Sequence, residues 1–180
     1  MKLPIELART TLRELSDDDL PAYADMHARA DVARYLYWEP RTWEQSRVAL
    51  QRKIATGTDP ASIALAVSVD GTFIGELNLH TFDTDNRGAE MGFVFHPEHH
   101  GQGYATEAAA GLLAVAFGQL GLHRVIGRCD ARNIASARVM RRLGMRLEAY
   151  FRSNELVKGE WCDEQVFALL EDEYRAGGAL

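Results

Sequence analysis

The strongest period in the chain runs through Ala105, Ala108, Ala109, Leu112, Leu113, Ala116 and Leu120, spaced as one face of a helix. It predicts a helix from Tyr104 to Leu120, with Gly121 as its stop. Upstream, Ile5 to Leu15 reads as a strand. Ser16 with Asp19 three residues on forms a capping-box pattern and starts a helix through Leu20, Tyr23 and Met26. A second helix starts near Thr42, with Gln45 in the matching position, and runs toward Ile54. SIALAVSV, then Asp70-Gly71, then TFIGELNLH is a hairpin signal. Asp83 to Gly88 is turn-like, and Glu90 to Phe95 (EMGFVF) is a further strand. Beyond the long helix come a strand from Val125 to Cys129 and a helix from Ile134 to Leu143 stopped by Gly144. A closing antiparallel pair follows, Met145 to Arg152 with Glu160 to Leu170.

The resulting order, β-α-α-β-β-β-α-β-α-β-β, suits a mixed sheet with helices on its faces. With 180 residues, 47% of them hydrophobic, and no repeat or linker, the chain is expected to form one domain over 1–180. No apolar run approaches the roughly 20 residues that cross a bilayer. The start, MKLPIELART, lacks the apolar stretch of a secretory signal, so a cytosolic location without membrane contact is expected. Cys129 and Cys162 are the only cysteines, too few for a disulfide framework. The net charge of −6 argues against nucleic acid as a direct partner and mildly favours a cationic one, an amine or a basic peptide.

The most informative segment is Glu90–Thr106. A strand leads into Gly101-Gln102-Gly103 and a helix starts at once, with no bulky charged side chain in Tyr104-Ala105-Thr106. Glycine lets the backbone approach a ligand, and the unpaired first-turn amides form an anion site suited to a pyrophosphate. No Gly-Lys-Ser/Thr follows, which excludes a Walker loop, and the third glycine of the dinucleotide fingerprint is missing. Taken alone, an ordinary tight strand-to-helix turn would give the same pattern.

The run HHGQGYATEA, preceded by EMGFVF and followed by NIASARVMRRLGM, resembles the GNAT superfamily of acetyltransferases. More narrowly, it is similar to the ribosomal-protein alanine N-acetyltransferase (RimJ/RimL-like) branch. The resemblance covers about Leu7 to Glu171. It implies an α/β (α+β) fold with a mixed, mostly antiparallel central sheet, helices on both faces and a splay at the acetyl-CoA site. It further implies that Phe93, Val94 and Phe95 meet the pantetheine arm and thioester through their backbone. His100, Gly101, Gln102, Gly103, Tyr104, Ala105 and Thr106 would cradle the phosphates, and Asn133 and Ser136 would touch the pantetheine end. His100 replaces the usual Gln or Arg, at a contact that is largely main-chain.

Acetyl transfer to an amine needs a neutral nitrogen, a stabilised oxyanion and a proton for the leaving thiolate. An α-amine, with pKa about 7.7–8.0, is often neutral near pH 7, so a modest base suffices. The resemblance points to Glu155 as that base, just after the strand that begins at Met145; a solvated hairpin glutamate is the alternative. Glu90 is the second candidate, with a structural role as its alternative. Ser136 is the candidate proton donor, because the position four residues on, where many relatives carry tyrosine, is Met140. Its alternative is a backbone-bonding serine early in its helix. Cys129 lacks a neighbouring base, and the cluster His96, Glu98, His99, His100 lacks metal-ligand spacing, so neither a covalent intermediate nor a metal is expected. Arg138, Arg141 and Arg142 could reach the 3′-phosphate or form a solvated face. Tyr35, Tyr37 and Trp38, with Trp43 beside them, lie where this family builds its acceptor wall, although core packing also explains aromatics.

The expectation is therefore an acetyl-CoA-dependent N-acetyltransferase working by direct attack in a ternary complex, with no metal. Its acceptor would be a protein N-terminal α-amine. The alternatives are a small amine (amino acid, polyamine or antibiotic) or a non-catalytic acetyl-CoA-binding module. A homodimer is implied by the resemblance alone.

Overall fold

The computed structural model describes residues 1–177, without the side chain of Thr58; residues 178–180 of the expected domain lie outside this range. In chain order the strands are β1 (Ile5–Glu6), β2 (Thr11–Glu14), β3 (Thr58–Asp59), β4 (Ser62–Val69), β5 (Thr72–Asp83) and β6 (Gly88–Phe95). They continue with β7 (Arg124–Asp130), β8 (Arg146–Val157) and β9 (Glu160–Leu170). The helices are α1 (Leu20–Ala28), α2 (Ala30–Ala33), α3 (Trp43–Thr56), α4 (Tyr104–Gly118), α5 (Ile134–Arg142) and α6 (Glu171–Ala176).

All nine strands join one sheet in the order β1-β2-β4-β5-β6-β7-β9-β8, with β3 attached beside β4. Every pairing is antiparallel except β6 with β7. Helices cover both faces. Ile63, Leu65 and Val67 of β4 pack toward Leu112, Leu113 and Ala116 of α4. Ala64 and Ala66, the alternate positions, pack toward Tyr23 and Met26 of α1 and Leu50 of α3. This double cover explains why SIALAVSV reads as a continuous apolar run instead of alternating. Asp70 and Gly71 carry φ of 49° and 78°, the paired positive values a two-residue hairpin turn requires.

The one parallel pairing shapes the site. β6 meets β7 only through Gly88–Arg124, Ala89–Val125 and Glu90–Ile126. Beyond Glu90, β6 stays bonded to β5 as far as Phe95, while β7 follows β9 as far as Asp130. The sheet therefore splits between two strands that each keep a partner on the outer side, which is the expected splay.

Several expected boundaries shift. The strand foreseen over Ile5 to Leu15 is two short strands, because the amide of Leu7 bonds the carbonyl of Thr10 at 2.8 Å and reverses the chain. Ser16 and Asp19 do form their capping box, but on a 3₁₀ turn (Asp17–Asp19) that precedes α1. The long helix stops at Gly118, two residues early. Gly121 has φ of 62° as foreseen, in the turn that follows. β8 continues past Arg152 to Val157 through a bulge between Phe151 and Glu155, so Glu155 lies within the strand, opposite Cys162. Among the described residues no helix is long and apolar enough to cross a membrane.

Candidate active site

The loop between β6 and α4 is built for close approach. Gly101 and Gly103 have φ of 75° and 86°, a region L side chains avoid, and Gly103 is the residue on which α4 starts. His100 Nε2 lies 2.9 Å from the carbonyl of Phe95, fastening the loop to the end of β6. The loop is also held from outside. Arg9 Nη1 donates to the carbonyl of Gln102 at 2.9 Å, and its guanidinium lies 4.9 Å from the centre of the Tyr104 ring. Glu107, the one acid in the first turn of α4, accepts from the amides of Arg9 and Thr10 and from the Thr10 hydroxyl. Partial burial would push its carboxyl up, but those contacts and the Arg9 guanidinium hold it below the usual range. Its charge is thus turned toward Arg9 and Thr10, leaving the first-turn amides to an anion.

A cavity of about 430 Å³ opens where the sheet splits. β6 supplies Phe93, Val94 and Phe95, and the glycine loop and α4 supply His100, Gly101, Gly103, Tyr104, Ala105 and Thr106. α5 contributes Asn133 and Ser136, and the segment after α2 contributes Tyr35. Most of the cofactor-binding residues expected from the sequence therefore converge on one space. Asn133 also caps α5, its Oδ1 accepting from the amide of Ser136 at 3.1 Å. Arg138 and Arg142 line the cavity, whereas Arg141 leaves it and lies over the Phe167 ring at 5.2 Å.

Of the residues expected to bind the cofactor or form the acceptor wall at Tyr35, Tyr37 and Trp38, three sit elsewhere. Gln102 faces solvent, its amide donating to the carbonyl of Glu98. Trp38 is half-buried, 6.0 Å from the ring of His27 and covered by Arg41 at 4.1 Å, so the core alternative holds for it. Tyr37 is exposed and faces a group of carboxylates rather than the cavity.

That group sits at the apex of the split. Glu90 and Ile126 are the last pair before β6 and β7 separate, and Glu90, Arg128 and Glu164 share the sheet face on which α1 and α3 pack. Arg128 Nε lies 3.4 Å from Glu90 Oε2, and its Nη1 donates to Glu164 Oε2 at 3.2 Å. Asn154 Nδ2 donates to the same oxygen at 2.8 Å. Burial raises the Glu90 carboxyl, Arg128 lowers it, Glu164 and Glu155 raise it, and His80, its partner on β5, lowers it; the net direction is upward. Burial, then Glu155, Glu164 and Glu90, push the Tyr37 phenol up against Arg128. Both expected glutamates thus belong to one electrostatic cluster. Arg128, Glu164 and Asn154 escaped sequence reasoning, since only the registers of β9 with β7 and with β8 bring them together.

The remaining candidates resolve simply. Burial pushes the Cys129 thiol up to about 11, so it stays protonated and a poor nucleophile near pH 7. Met140 is buried against Gly127 of β7, away from the cavity that Ser136 lines. His96 Nε2 is 2.8 Å from Asp25 Oδ2, and no group of metal-ligand type is present among the described residues.

Comparison with known proteins agrees with this geometry. Residues 9–146 match the family model described as an acetyltransferase (GNAT) domain. An uncharacterized Bacillus subtilis N-acetyltransferase, YnaD, is 29% identical over 94% of this chain and 98% of its own. Escherichia coli spermidine N(1)-acetyltransferase is 26% identical over 92% of this chain and 88% of its own. A GNAT-family acetyltransferase from Bacillus anthracis has a solved structure that superposes with a TM-score of 0.87 at 30% identity, covering 95% of this chain and all (100%) of that one. RimL, the ribosomal L7/L12 alpha-N-protein acetyltransferase in complex with coenzyme A, gives 0.84 at 21% identity over 95% and 99%, a likeness of fold alone. With a split sheet, a glycine loop at a helix start and a family match spanning both, the chain belongs to the GNAT family of acetyltransferases, which pass an acetyl group from acetyl-CoA to an amine.

Proposed function

We propose that the cavity holds acetyl-CoA, with the diphosphate on the amides of Gly101 to Thr106 and the pantetheine arm along Phe93 to Phe95. A primary amine meets the thioester from the side of Tyr37 and the carboxylates. Positive φ at Gly101 and Gly103 and the size of the cavity fit such a donor. The amine attacks the thioester carbonyl within a ternary complex and the thiolate leaves. Glu155 or Glu90 takes the ammonium proton, directly or through water, and Ser136 in the cavity wall returns one to the thiolate.

The observation that carries the acceptor is the charge at the apex. Three carboxylates, Glu90, Glu155 and Glu164, lie near the Tyr37 phenol, and one guanidinium, that of Arg128, meets two of them, Glu90 and Glu164. Half-buried negative charge attracts a cation more strongly than the same charge in water. The RimL-like resemblance implies a protein N-terminal α-amine; the carboxylates favour a small amine with more than one positive charge. The spermidine-acetylating relative supports that second reading.

Thiol release from acetyl-CoA with spermidine, a diamine, and neutral or basic N-terminal peptides tests the choice. Highest kcat/KM for the polyamine, falling with added salt, is the expected outcome. Equal or faster turnover of a neutral peptide would exclude the polycation. The homodimer implied by the resemblance is tested separately by light scattering.

A further inference from the structure

The geometry points to Arg128 as a positioning residue: clamped by the buried Glu164, its guanidinium holds Glu90 ionised and aimed at the apex of the split. The inference rests on the proposed function in one respect, that Glu90 faces the incoming amine. Everything else is read from the strands.

Glu164 is the anchor. Its side chain is 4% exposed, and a buried carboxylate persists only when paired. Asn154 and Arg128 both bond its Oε2. Arg128 would otherwise be a long, mobile side chain, two-fifths exposed. With Nη1 committed to Glu164, its Nε faces Glu90 at 3.4 Å. The three residues come from three adjacent strands, β6, β7 and β9, so the sheet fixes their spacing.

Glu90 has few other cationic neighbours. His80 of β5 lies across from it, while Glu164 of β9, Glu155 of β8 and the Tyr37 ring after α2 complete its surroundings. Two carboxylates and partial burial oppose its ionisation, and Arg128 is the fixed positive charge that favours it. An ionised Glu90 can accept one proton from an ammonium, giving a neutral amine and a neutral carboxyl group with total charge conserved; a protonated Glu90 cannot.

Carboxyl NMR on protein labelled with ¹³C-glutamate, with E90Q assigning the Glu90 signal, tests this without catalysis. In R128M the Glu90 midpoint should rise by about 0.5–1 pH unit, modest because both groups are two-fifths exposed. R128K should restore part of the difference. E164Q should move the midpoint downward, since it removes a repelling charge while the glutamine amide oxygen still accepts from Arg128. A merely structural role of Arg128 predicts no rise in R128M. Should R128M not fold, E164Q/R128M replaces it, its midpoint read against E164Q alone, because no buried charge is then stranded. A midpoint unmoved by the loss of Arg128, in R128M or in the E164Q background, overturns the inference. The acid limb of kcat/KM for the best amine is then compared. Midpoints that shift as expected with an unmoved limb uphold the role of Arg128 and remove Glu90 from the reaction.

Discussion

Arg9 and Gln102 stand 93 positions apart in the chain, yet the Arg9 guanidinium donates to the Gln102 carbonyl at 2.9 Å. The turn between β1 and β2 thereby braces the glycine loop from outside, with Glu107 tying the same turn to α4. A loop that presents amides to a diphosphate binds best when it is already in shape. Arg9→Ala removes the brace and should raise the Kd for acetyl-CoA about three- to tenfold, the equivalent of one hydrogen bond. Calorimetry with the intact protein measures it, and an unchanged Kd would show that the loop holds its shape unaided.

Gly103 tests the loop from inside. Its φ of 86° lies in left-handed space, and an added Cβ would stand 3.3 Å from Arg9 Nη2. Gly103→Ala should therefore strain the start of α4 by about 1–2 kcal/mol. Part of that strain is relieved by deforming the loop, so acetyl-CoA binding should weaken roughly tenfold. Gly118, at the other end of the same helix, has open space at its Cβ position and a negative φ. Gly118→Ala should leave the Kd unchanged, giving an internal control for the titration.

Glu155 on β8 and Ser136 on α5 approach the reaction from opposite faces of the sheet, α5 packing on the α4 face and Glu155 joining Glu90 and Glu164 on the other. If each moves a proton, Glu155→Gln and Ser136→Ala should lower kcat by roughly 10²–10⁴-fold, the usual worth of a general base or acid. Acetyl-CoA affinity should stay within about twofold for Glu155→Gln, which stands outside the cavity lining. Pre-steady-state thiol release separates these steps. Full turnover in Glu155→Gln would transfer the base role to Glu90.

How far the chain discloses this site depends on the range of each signal. The helical period of Ala105 to Leu120 and the positive-φ pair Asp70-Gly71 are local, and both elements form, the helix ending two residues short of its pattern. So does the glycine loop, because its conformation needs glycine at two nearby positions. Ile5 to Leu15 misleads since its apolar pattern runs through a reversal held by one backbone bond, Leu7 to Thr10, which leaves no mark on composition. The carboxylate cluster is harder still. Glu164 reads as a surface acid of a closing strand until Asp130 pairs with it and puts Arg128 on the same face. Trp38 shows the converse. Its aromatic neighbours suggest an acceptor wall, but Arg41 and His27 enclose it.

Cys129 offers a clean negative test of direct transfer. Its thiol is pushed up to about 11, first by burial and then by Asp130, and its side chain packs against the core. Near pH 7 such a thiol is almost wholly protonated and cannot carry an acetyl group as an intermediate. Cys129→Ala should retain kcat within about twofold, with a small loss of stability from the lost packing. Acetylated protein trapped by acid quench and seen by mass spectrometry at Cys129 would contradict direct attack.

Glu76 carries the strongest electrostatic prediction for the fold as a whole. It is 3% exposed in β5, with His27 Nε2 at 3.1 Å and Lys53 Nζ at 2.6 Å. Burial would drive its carboxyl up, but Lys53 and His27 overcome that and hold it at about 2, against an ordinary value of 4.5. Because the folded value is the lower one, the ionised carboxylate stabilises the fold above pH 4.5, and that contribution disappears as pH falls from 4.5 toward 2. The shift corresponds to roughly 3 kcal/mol. Urea unfolding at pH 6 and pH 3 should show the wild type losing more stability on acidification than Glu76→Gln, which has no proton to gain there. Lys53→Met strands the charge and should cost about 3–5 kcal/mol at pH 6. That variant should lose less than the wild type on acidification, since its Glu76 already tends to bind a proton. Equal acid sensitivity in all three proteins would mean that folding leaves the Glu76 carboxyl at its ordinary value.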